Sequence, residues 1–313
     1  MKVIEEYQQI DSNRERSVAL GNFDGIHIGH QKLIEHLLDK SEPEKLESCV
    51  YTFINHTIPV IADQQPIQYI TNLNSRKEIF QGLGVDMLFL DSFDKEMMTL
   101  TPEAFVEKIL VKVLNCKIAV VGFDYRFGYK AQGDVELLKK LGEKYGFQVS
   151  VVDAVTINEE KVSSSNIKKY LKNGDVEKAN AFLGRFFSIR NKVIHGDARG
   201  KKLGYPTANI DVDPLQLTPK EGVYATLINI NNNTYMGATF IGTKPTFKSE
   251  KIAIETFIID YEGDLYHQFI DISFIKRIRE EIIFKSPNEL IKQINEDIKH
   301  IKTYLHSNTN VLK

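Results

Sequence analysis

The first half of the chain alternates short apolar runs with amphipathic stretches. Runs typical of strands buried on both faces occur at residues 17–20, 49–53, 87–90, 118–121 and 149–155. Helical patterns separate them. The clearest follows Thr101-Pro102, an N-cap with proline at the first helical position, and another follows Asp134. This alternation predicts an α/β domain with a doubly wound, mostly parallel sheet, whose ligands bind beyond the carboxyl ends of the strands.

The pattern changes near Gly184. Two short helices precede this point: one follows Ser165 and ends at Asn173-Gly174, and the next begins at Asp175. Strand-like segments with hairpin signals follow, at residues 187–194, 223–230, 235–241, 252–260 and 265–274. They predict a small antiparallel β-barrel, on which a last helix, opened by a capping box at Ser286, is expected to pack. We therefore expect two domains, residues 1–183 and 184–313.

The length of the chain agrees with two domains, and its charge limits the classes of ligand to expect. A chain of 313 residues exceeds most single cores, and its 40 basic and 42 acidic side chains nearly cancel. We therefore expect small-molecule ligands rather than nucleic acid or a membrane surface. Cys49 and Cys116 form no metal-ligand pattern, and the N-terminal segment has no apolar signal core, which favours reduced thiols in the cytoplasm.

The segment GNFDGIHIGH, residues 21–30, carries the first candidate chemistry because it follows the first predicted strand. If a helix begins near Gly29, its free amide groups and the positive end of its dipole favour a phosphate in the loop. His27 and His30 can then donate hydrogen bonds to the same phosphoryl group. A tight turn with surface histidines is the alternative for so short a motif, but the position after a strand favours the phosphate site.

This segment resembles the signature of the nucleotidyltransferase superfamily in its flavin branch. The rest of the chain is similar to the bacterial bifunctional riboflavin kinase/FMN adenylyltransferases, the prokaryotic type of FAD synthetase. The motifs that carry the resemblance, in chain order, are GFDYRFG at 122–128, QGD at 132–134, VSSSNIKKYLKNGDVEKANAFLGR at 162–185, HGDARGKKLGYPTANI at 195–210, EGVYA at 221–225, GATFIGTKPTF at 237–247 and IETFIIDYEGDLY at 254–266. The resemblance implies an N-terminal Rossmann-like adenylyltransferase domain and a C-terminal β-barrel kinase domain.

For the barrel, the resemblance implies transfer of the γ-phosphoryl group of ATP to riboflavin, which gives FMN. Glu255 matches the proposed base, and Thr207 and Asn209 supply the hard oxygen atoms that suit Mg²⁺. The spacing of the glycines is not that of a P-loop. The other positions implied for ATP binding in this domain are Gly196, Gly200, Lys202, Gly204 and Pro206.

For the first domain, the resemblance implies attack of the FMN phosphate on a second ATP, with release of pyrophosphate and formation of FAD. His27 and His30 would stabilise the transferred group. Asp124 and Arg126 match positions that bind the flavin and the nucleotide. The positions implied for ATP and phosphate binding are Gly21, Asn22, Phe23, Asp24, Gly29, Ser163, Ser164, Ser165 and Lys168.

The sequence departs from the family pattern in three places. Where the family usually has SSTxIR, this chain has SSSNIK at 163–168. Ser165 replaces the threonine and Lys168 replaces the arginine, and lysine keeps the charge but loses the bidentate fork of arginine. The usual FxPHP reads FINHT at 53–57, and GRPY reads GRFF at 184–187. A kinase with weakened or lost adenylyltransferase activity, or a non-catalytic flavin-binding regulator, therefore remains open. The histidine motif alone would also fit a cytidylyltransferase or a related synthetase-like adenylyltransferase, but neither accounts for the predicted barrel with PTAN and Glu255. Domain orientation, substrate channelling, oligomeric state, rates and affinities are not determined by the sequence.

Overall fold

The computed structural model describes residues 1–54, 68–196, 200, 203–245 and 250–308. Its contacts divide the chain into two compact units, Met1–Ser164 and Ser165–Lys313. The two short helices that precede Gly184 therefore fall with the second unit, apart from Ser164. The expected domain boundary at 183/184 remains a prediction.

The described part of the first unit contains one parallel six-stranded sheet, as the apolar runs predicted. Its strands are β1 (Lys2–Ile4), β2 (Arg16–Leu20), β3 (Glu47–Phe53), β4 (Met87–Asp91), β5 (Cys116–Gly122) and β6 (Gln148–Val152), in the order β1-β4-β3-β2-β5-β6. The connections after β2 and β5 leave in opposite directions, so the crevice of this fold opens between these two strands. Sequence analysis missed β1 because it is only three residues long.

Helices cover both faces of this sheet. They are α1 (Ile28–Glu44), α2 (Leu73–Gly82), α3 (Lys95–Thr99), α4 (Pro102–Phe105), which continues as a π-helix over Val106–Val113, and α5 (Val135–Tyr145). A two-stranded hairpin, β7 (Thr156–Ile157) and β8 (Glu160–Lys161), follows β6. The predicted N-cap at Thr101 is confirmed, since its hydroxyl accepts from the amide of Ala104. The helix expected after Asp134 is also present, and the Asp134 carboxylate caps it by accepting from the amide of Leu137.

Alternation along the strands explains the two layers of helices. Val18 and Leu20 of β2 belong to a core cluster with Phe105, whereas Ala19 between them belongs to the opposite cluster with Phe80. Successive side chains of a strand point to opposite faces, and here both faces are buried. The continuous apolar run that predicted β2 is the consequence.

The second unit contains, in the described residues, a closed antiparallel barrel of six strands. After helices α6 (Ser164–Asn173) and α7 (Val176–Leu183) come β9 (Phe187–Ile194), β10 (Ala208–Ile210), β11 (Gly222–Ile230), β12 (Asn233–Pro245), β13 (Glu250–Ile258) and β14 (Phe269–Arg279). The strand order is β10-β13-β12-β11-β14-β9, and β9 pairs with β10. The barrel prediction is confirmed. Sequence analysis missed strand β10 because it has only three residues and begins two residues after Pro206.

Among the predicted strand bounds of the barrel, those of β14 differ most from the structure. The strand expected at 265–274 begins at Phe269 and extends to Arg279, because the chain turns at His267, where φ is +67°. The last helix, α8 (Pro287–Ser307), begins at its predicted cap, where the Ser286 hydroxyl accepts from the amide of Glu289. The Glu289 carboxylate accepts from the amide of Lys285 rather than from that of Ser286.

Helix α8 packs on the barrel, as its apolar face predicted. Its Ile301 and Leu305 are buried against Ala225 and Leu227 of β11. Thr226, between these two β11 residues, belongs to a buried chain of hydroxyl groups that continues through Thr239 and Thr256. Among the helices of the described residues, none is both long and apolar enough to cross a membrane.

Candidate functional site

The first candidate site is residues 21–30, called here the histidine loop, which joins β2 to α1. Helix α1 begins at Ile28, so His27 is its N-cap, and the His27 Nδ1 atom accepts from the backbone amide of His30 at 3.2 Å. The start expected near Gly29 is thus confirmed to within one residue. The His27 ring therefore caps the helix through its Nδ1 atom.

The two imidazole rings lie together at the start of the helix. Their centroids are 3.6 Å apart and their planes differ by 14°. Gly29 leaves room for this stacking, since a Cβ atom at that position would crowd two atoms of the His27 ring at 3.2 Å. The glycine between the histidines therefore has a packing reason. The first amide groups of α1 have no partners within the helix, so they add positive potential to the same end.

Buried side chains hold the loop in an unusual conformation. Phe23, Gly25 and Ile26 have φ values of +49°, +84° and +40°, and the side chains of Phe23 and Ile26 are buried. A non-glycine residue in this region is strained by about 1–3 kcal/mol and persists only where the surrounding structure enforces it. Such strain is typical of functional loops.

Asp24 connects the loop to two other segments of the first unit. Its carboxylate accepts from the amide of Ile70 at 2.8 Å, and its backbone carbonyl accepts from the Ser164 hydroxyl at 2.8 Å. The structure therefore brings the middle serine of the VSSSNIK segment to the histidine loop. Ser165 and Lys168 follow on α6, in the second unit.

Asn22 is held by a residue that sequence analysis did not find. Its backbone carbonyl accepts from the Thr52 hydroxyl at 3.2 Å and from Arg76 Nη2 at 3.4 Å. Arg76 is 9% exposed, and burial lowers the pKa of its guanidinium. No sequence signal marks this position, since arginine on a short helix is ordinarily a surface residue.

Asp124 and Arg126, at the end of β5, are both exposed and paired with opposite charges. Lys161 Nζ lies 2.6 Å from the Asp124 carboxylate, and Arg126 lies 3.6 Å from Asp134. In the same motif, Phe127 is a core residue, and a Cβ at Gly128 would lie 2.7 Å from Pro102. Because Asp124 follows the end of β5, and β5 is next to β2 in the sheet, Asp124 lies next to the crevice of the sheet.

The second candidate site is on the outer face of the barrel, where β10 pairs with β13. Asn209 lies opposite Glu255, and the Thr207 hydroxyl donates to the Glu255 carboxylate at 3.2 Å. The neighbours of Glu255 in β13, Ile254 and Thr256, are buried, so Glu255 itself lies on the opposite face of the strand. The structure thus brings together the three residues predicted from GYPTAN and IETF.

Two glycines lie close to this group. A Cβ atom at Gly196 would lie 2.3–2.5 Å from the side chain of Asn209, and one at Gly200 would lie 2.3 Å from the backbone oxygen of Tyr205. A side chain at either position would therefore overlap a neighbouring residue. Gly204, which precedes Tyr205, has φ +88°, and Pro206 is exposed. The Tyr205 hydroxyl donates to Asn295 of α8 at 2.7 Å, which ties this segment to the terminal helix.

Some predicted positions lie outside the described residues. These are Lys202 and, of the altered FINHT segment, residues 55–57. The two cysteines are buried and unpaired with each other, and burial raises the pKa of the Cys116 thiol to about 12. A thiol with so high a pKa is a poor nucleophile.

Two family models match the chain, one for each unit's part of the sequence. The FAD synthetase model matches residues 9–166 and the riboflavin kinase model matches residues 183–305. Between them lies most of the two helices that precede the barrel.

Curated relatives match over nearly their whole length. A bifunctional riboflavin kinase/FMN adenylyltransferase of Buchnera aphidicola subsp. Schizaphis graminum is 35% identical over 97% of both chains. That of Bacillus subtilis (strain 168) is 37% identical over 92% of both, and that of Escherichia coli K12 is 32% identical over 90% of both.

A solved structure has the same architecture over the whole chain. It is described as a macrolide-efflux protein from Streptococcus pneumoniae, is 30% identical, and matches with a TM-score of 0.90 over 96% of this chain and 99% of that one. Its description differs from those of the curated relatives, and both family models agree with the latter. Since two domain models and relatives of full length point the same way, the chain belongs to the bifunctional riboflavin kinase/FMN adenylyltransferase family.

Proposed function

We propose that the chain makes FMN from riboflavin and ATP on the barrel, and FAD from FMN and ATP at the histidine loop. The observation that carries the first half is that Asn209 of β10 lies opposite Glu255 of β13, while the hydroxyl of Thr207, just before β10, donates to Glu255. In this reaction a ribityl hydroxyl of riboflavin attacks the γ-phosphorus of ATP, and ADP leaves. Glu255 accepts the proton of that hydroxyl, a contribution of about 10²- to 10⁴-fold.

Thr207 and Asn209 would hold Mg²⁺ in the same site. Their hydroxyl and amide oxygen atoms are the hard ligands that this ion accepts, and it ordinarily completes its coordination with water and substrate phosphates. A side chain at Gly196 would overlap that of Asn209, so the glycine keeps space beside these donors. Bound there, the ion would neutralise charge on the phosphates of ATP. Gly200, Lys202, Gly204 and Pro206 are proposed to line the ATP site.

Adenylyl transfer at the histidine loop needs no covalent enzyme intermediate. An oxygen of the FMN phosphate attacks the α-phosphorus of ATP, and pyrophosphate leaves. His27 and His30 donate hydrogen bonds to the transferred group, and the positive end of the α1 dipole adds to the stabilisation. Gly21, Asn22, Phe23, Asp24 and Gly29 shape the loop around the phosphates.

The remaining assignments are proposals that rest on the family resemblance. Asp124 and Arg126 are proposed to contact flavin or nucleotide, and their present ion pairs would have to exchange for ligand contacts. Ser163, Ser164, Ser165 and Lys168 are proposed to bind phosphate. Two free, buried thiols are compatible with a reducing compartment, and we place the enzyme in the cytoplasm on that basis.

A paired product assay tests both halves of this function. The purified chain is incubated with ATP and Mg²⁺, once with riboflavin and once with FMN, and the flavins are separated by chromatography. We expect FMN and then FAD in the first incubation, and FAD in the second. Omission of Mg²⁺ with added chelator is expected to stop FMN formation.

Each possible failure has a separate meaning. If neither FMN nor FAD forms in the first incubation, the kinase assignment is wrong. If FMN forms but FAD does not form in either incubation, the chain is a riboflavin kinase without adenylyltransferase activity. Binding of flavin with no turnover in either incubation would favour the regulator. Replacement of ATP by CTP tests the cytidylyltransferase alternative.

A further inference from the structure

Arg76, in the second turn of α2, is a buried charge that the reaction described above does not use. Arg76 is 9% exposed, and burial lowers the pKa of its guanidinium. Transfer of an ion from water into a protein costs several kcal/mol, which only well-placed polar partners offset. The partners of this guanidinium therefore indicate what it is for.

These partners lie at the carboxyl ends of two neighbouring strands. Nη2 donates to the Thr52 hydroxyl at 3.0 Å and to the carbonyl of Asn22 at 3.4 Å, and Nη1 donates to the carbonyl of Phe53 at 3.4 Å. Thr52 and Phe53 end β3, and Asn22 is the second residue after β2. A single side chain from α2 thus joins β3 to the first residues of the histidine loop.

Arg76 also acts on this loop through its charge. The negative charge of Asp24 raises the pKa of Arg76 and so opposes the effect of burial. In the described residues its Nε atom is buried without a hydrogen-bond partner. Arg76 is therefore fitted to the loop by the Nη2 hydrogen bond to Asn22 and by charge, and to the end of β3 by its other hydrogen bonds, and not by a full set of hydrogen bonds.

We propose that Arg76 is a positioning residue for adenylyl transfer: it fixes the place where the histidine loop leaves the sheet, and thereby the stacked imidazoles that end the loop. This inference rests on the proposed function of the loop. Asn22 is five residues before His27, and the strained backbone between them transmits any shift at Asn22 to the histidines. A displacement of reacting groups by about 1 Å can lower the rate of a positioned reaction by about 100-fold.

Two substitutions in the full chain test this role. Arg76→Met removes all the hydrogen bonds of the guanidinium and keeps an unbranched side chain of similar size. Arg76→Lys keeps the positive charge but has fewer hydrogen-bond donors than arginine. For FAD formation from FMN, we expect Arg76→Met to lower kcat by about 10- to 100-fold, with the KM values for FMN and ATP changed less than about twofold. Arg76→Lys should recover part of kcat. The riboflavin kinase rate of the same preparation serves as an internal reference.

Arg16 provides a matched control, because it is another buried arginine of the first unit and lies in β2. It lies at the amino end of β2, where its Nε donates to Glu47 at 2.8 Å and its Nη1 to the carbonyl of Asp11 at 2.9 Å. Arg16→Met should lower the melting temperature of the first unit and leave kcat for FAD formation unchanged below that temperature. A difference in kcat between the two methionine variants separates positioning from stability.

The inference is overturned if folded Arg76→Met retains the wild-type kcat, if its kcat falls no further than that of Arg16→Met, or if only KM changes. Should Arg76→Met fail to fold, Arg76→Lys decides: a lowered kcat at unchanged melting temperature supports the role, and a wild-type kcat overturns it. If the unsubstituted chain makes no FAD, it is the proposed function of the loop that fails, and this inference fails with it.

Discussion

The two candidate sites are assembled in different ways. The histidine loop gathers its polar groups from ten consecutive residues at the end of a parallel strand, and the start of α1 supplies the rest. The barrel site pairs Thr207 with Glu255, which are 48 positions apart, through the register of two antiparallel strands. One site depends on local conformation and the other on strand pairing.

This difference determines which changes should damage each site. In the first unit, the conformation of the loop depends on its own buried residues Phe23 and Ile26 and on the buried Arg76, which bonds Asn22. In the barrel, the alternation of β13 puts Glu255 outside while Ile254 and Thr256 stay inside. The barrel site is therefore sensitive to register, and the histidine loop is sensitive to the packing beneath it.

The largest expected effect, and the sharpest test of two separate sites, comes from Glu255→Gln. Removal of the proton acceptor should lower FMN formation from riboflavin by about 10²- to 10⁴-fold. FAD formation from supplied FMN should not change. Product chromatography on the same preparation measures both rates.

Glu262→Gln is the control, since Glu262 is exposed in the connection that follows β13. It should leave both rates unchanged. Loss of both activities in folded Glu255→Gln would contradict the separation of the sites.

The converse substitution, His30→Ala, should lower FAD formation by about 10²- to 10³-fold, because one group that stabilises the transferred phosphoryl is lost. FMN formation should not change. His36→Ala is matched to it, since His36 lies on the same helix and donates to or accepts from Ser150 at 2.7 Å. If both histidine variants lose FAD formation equally, the effect belongs to α1 as a whole and the role of His30 is wrong.

A stability experiment compares how the barrel holds its terminal helix. Arg279 forms three hydrogen bonds with the buried carboxylate of Asp297, the longest of them 3.0 Å. Asp297→Ala leaves the arginine without its partner and should lower the free energy of unfolding of the second unit by about 3 kcal/mol. Hydrogen exchange of the β11 and β14 amides measures this.

Asp260→Ala removes a second pair between α8 and the barrel, in which Lys302 lies 2.8 Å from a carboxylate that is 74% exposed. Solvent screens this pair, so the loss should stay below about 1 kcal/mol. Equal losses in the two variants would show that burial does not distinguish these pairs.

The smallest expected effect is that of Thr101→Ala, which removes the cap of α4 in the first unit. It should lower the stability of that helix by about 1 kcal/mol, because the amide of Ala104 loses its acceptor. Hydrogen exchange of residues 104–113 should increase, while that of the barrel strands should not. Faster exchange in the barrel strands would contradict an effect confined to the first unit.

The predictions from sequence succeeded where a local pattern has one structural outcome. The apolar runs of the first half become parallel strands because both faces are covered, and Thr101, Asp134 and Ser286 cap the helices that they open. The approach failed for β1 and β10, which are three residues each and too short for a periodic pattern. The start of β14 was placed too early because the turn at His267 uses a positive φ with no glycine to mark it.

By itself, the sequence determined the order of the elements, the two architectures and the identity of most candidate residues, since caps, periodicity and contiguous motifs are encoded by neighbours along the chain. The stacking of His27 on His30, the contact of Thr207 with Glu255 and the burial of Arg76 beneath Asn22 were decided only in the tertiary structure. The physical reason is the range of the interactions: a cap joins residues three apart, whereas strand register and the burial of a charge depend on segments that only the completed fold brings together.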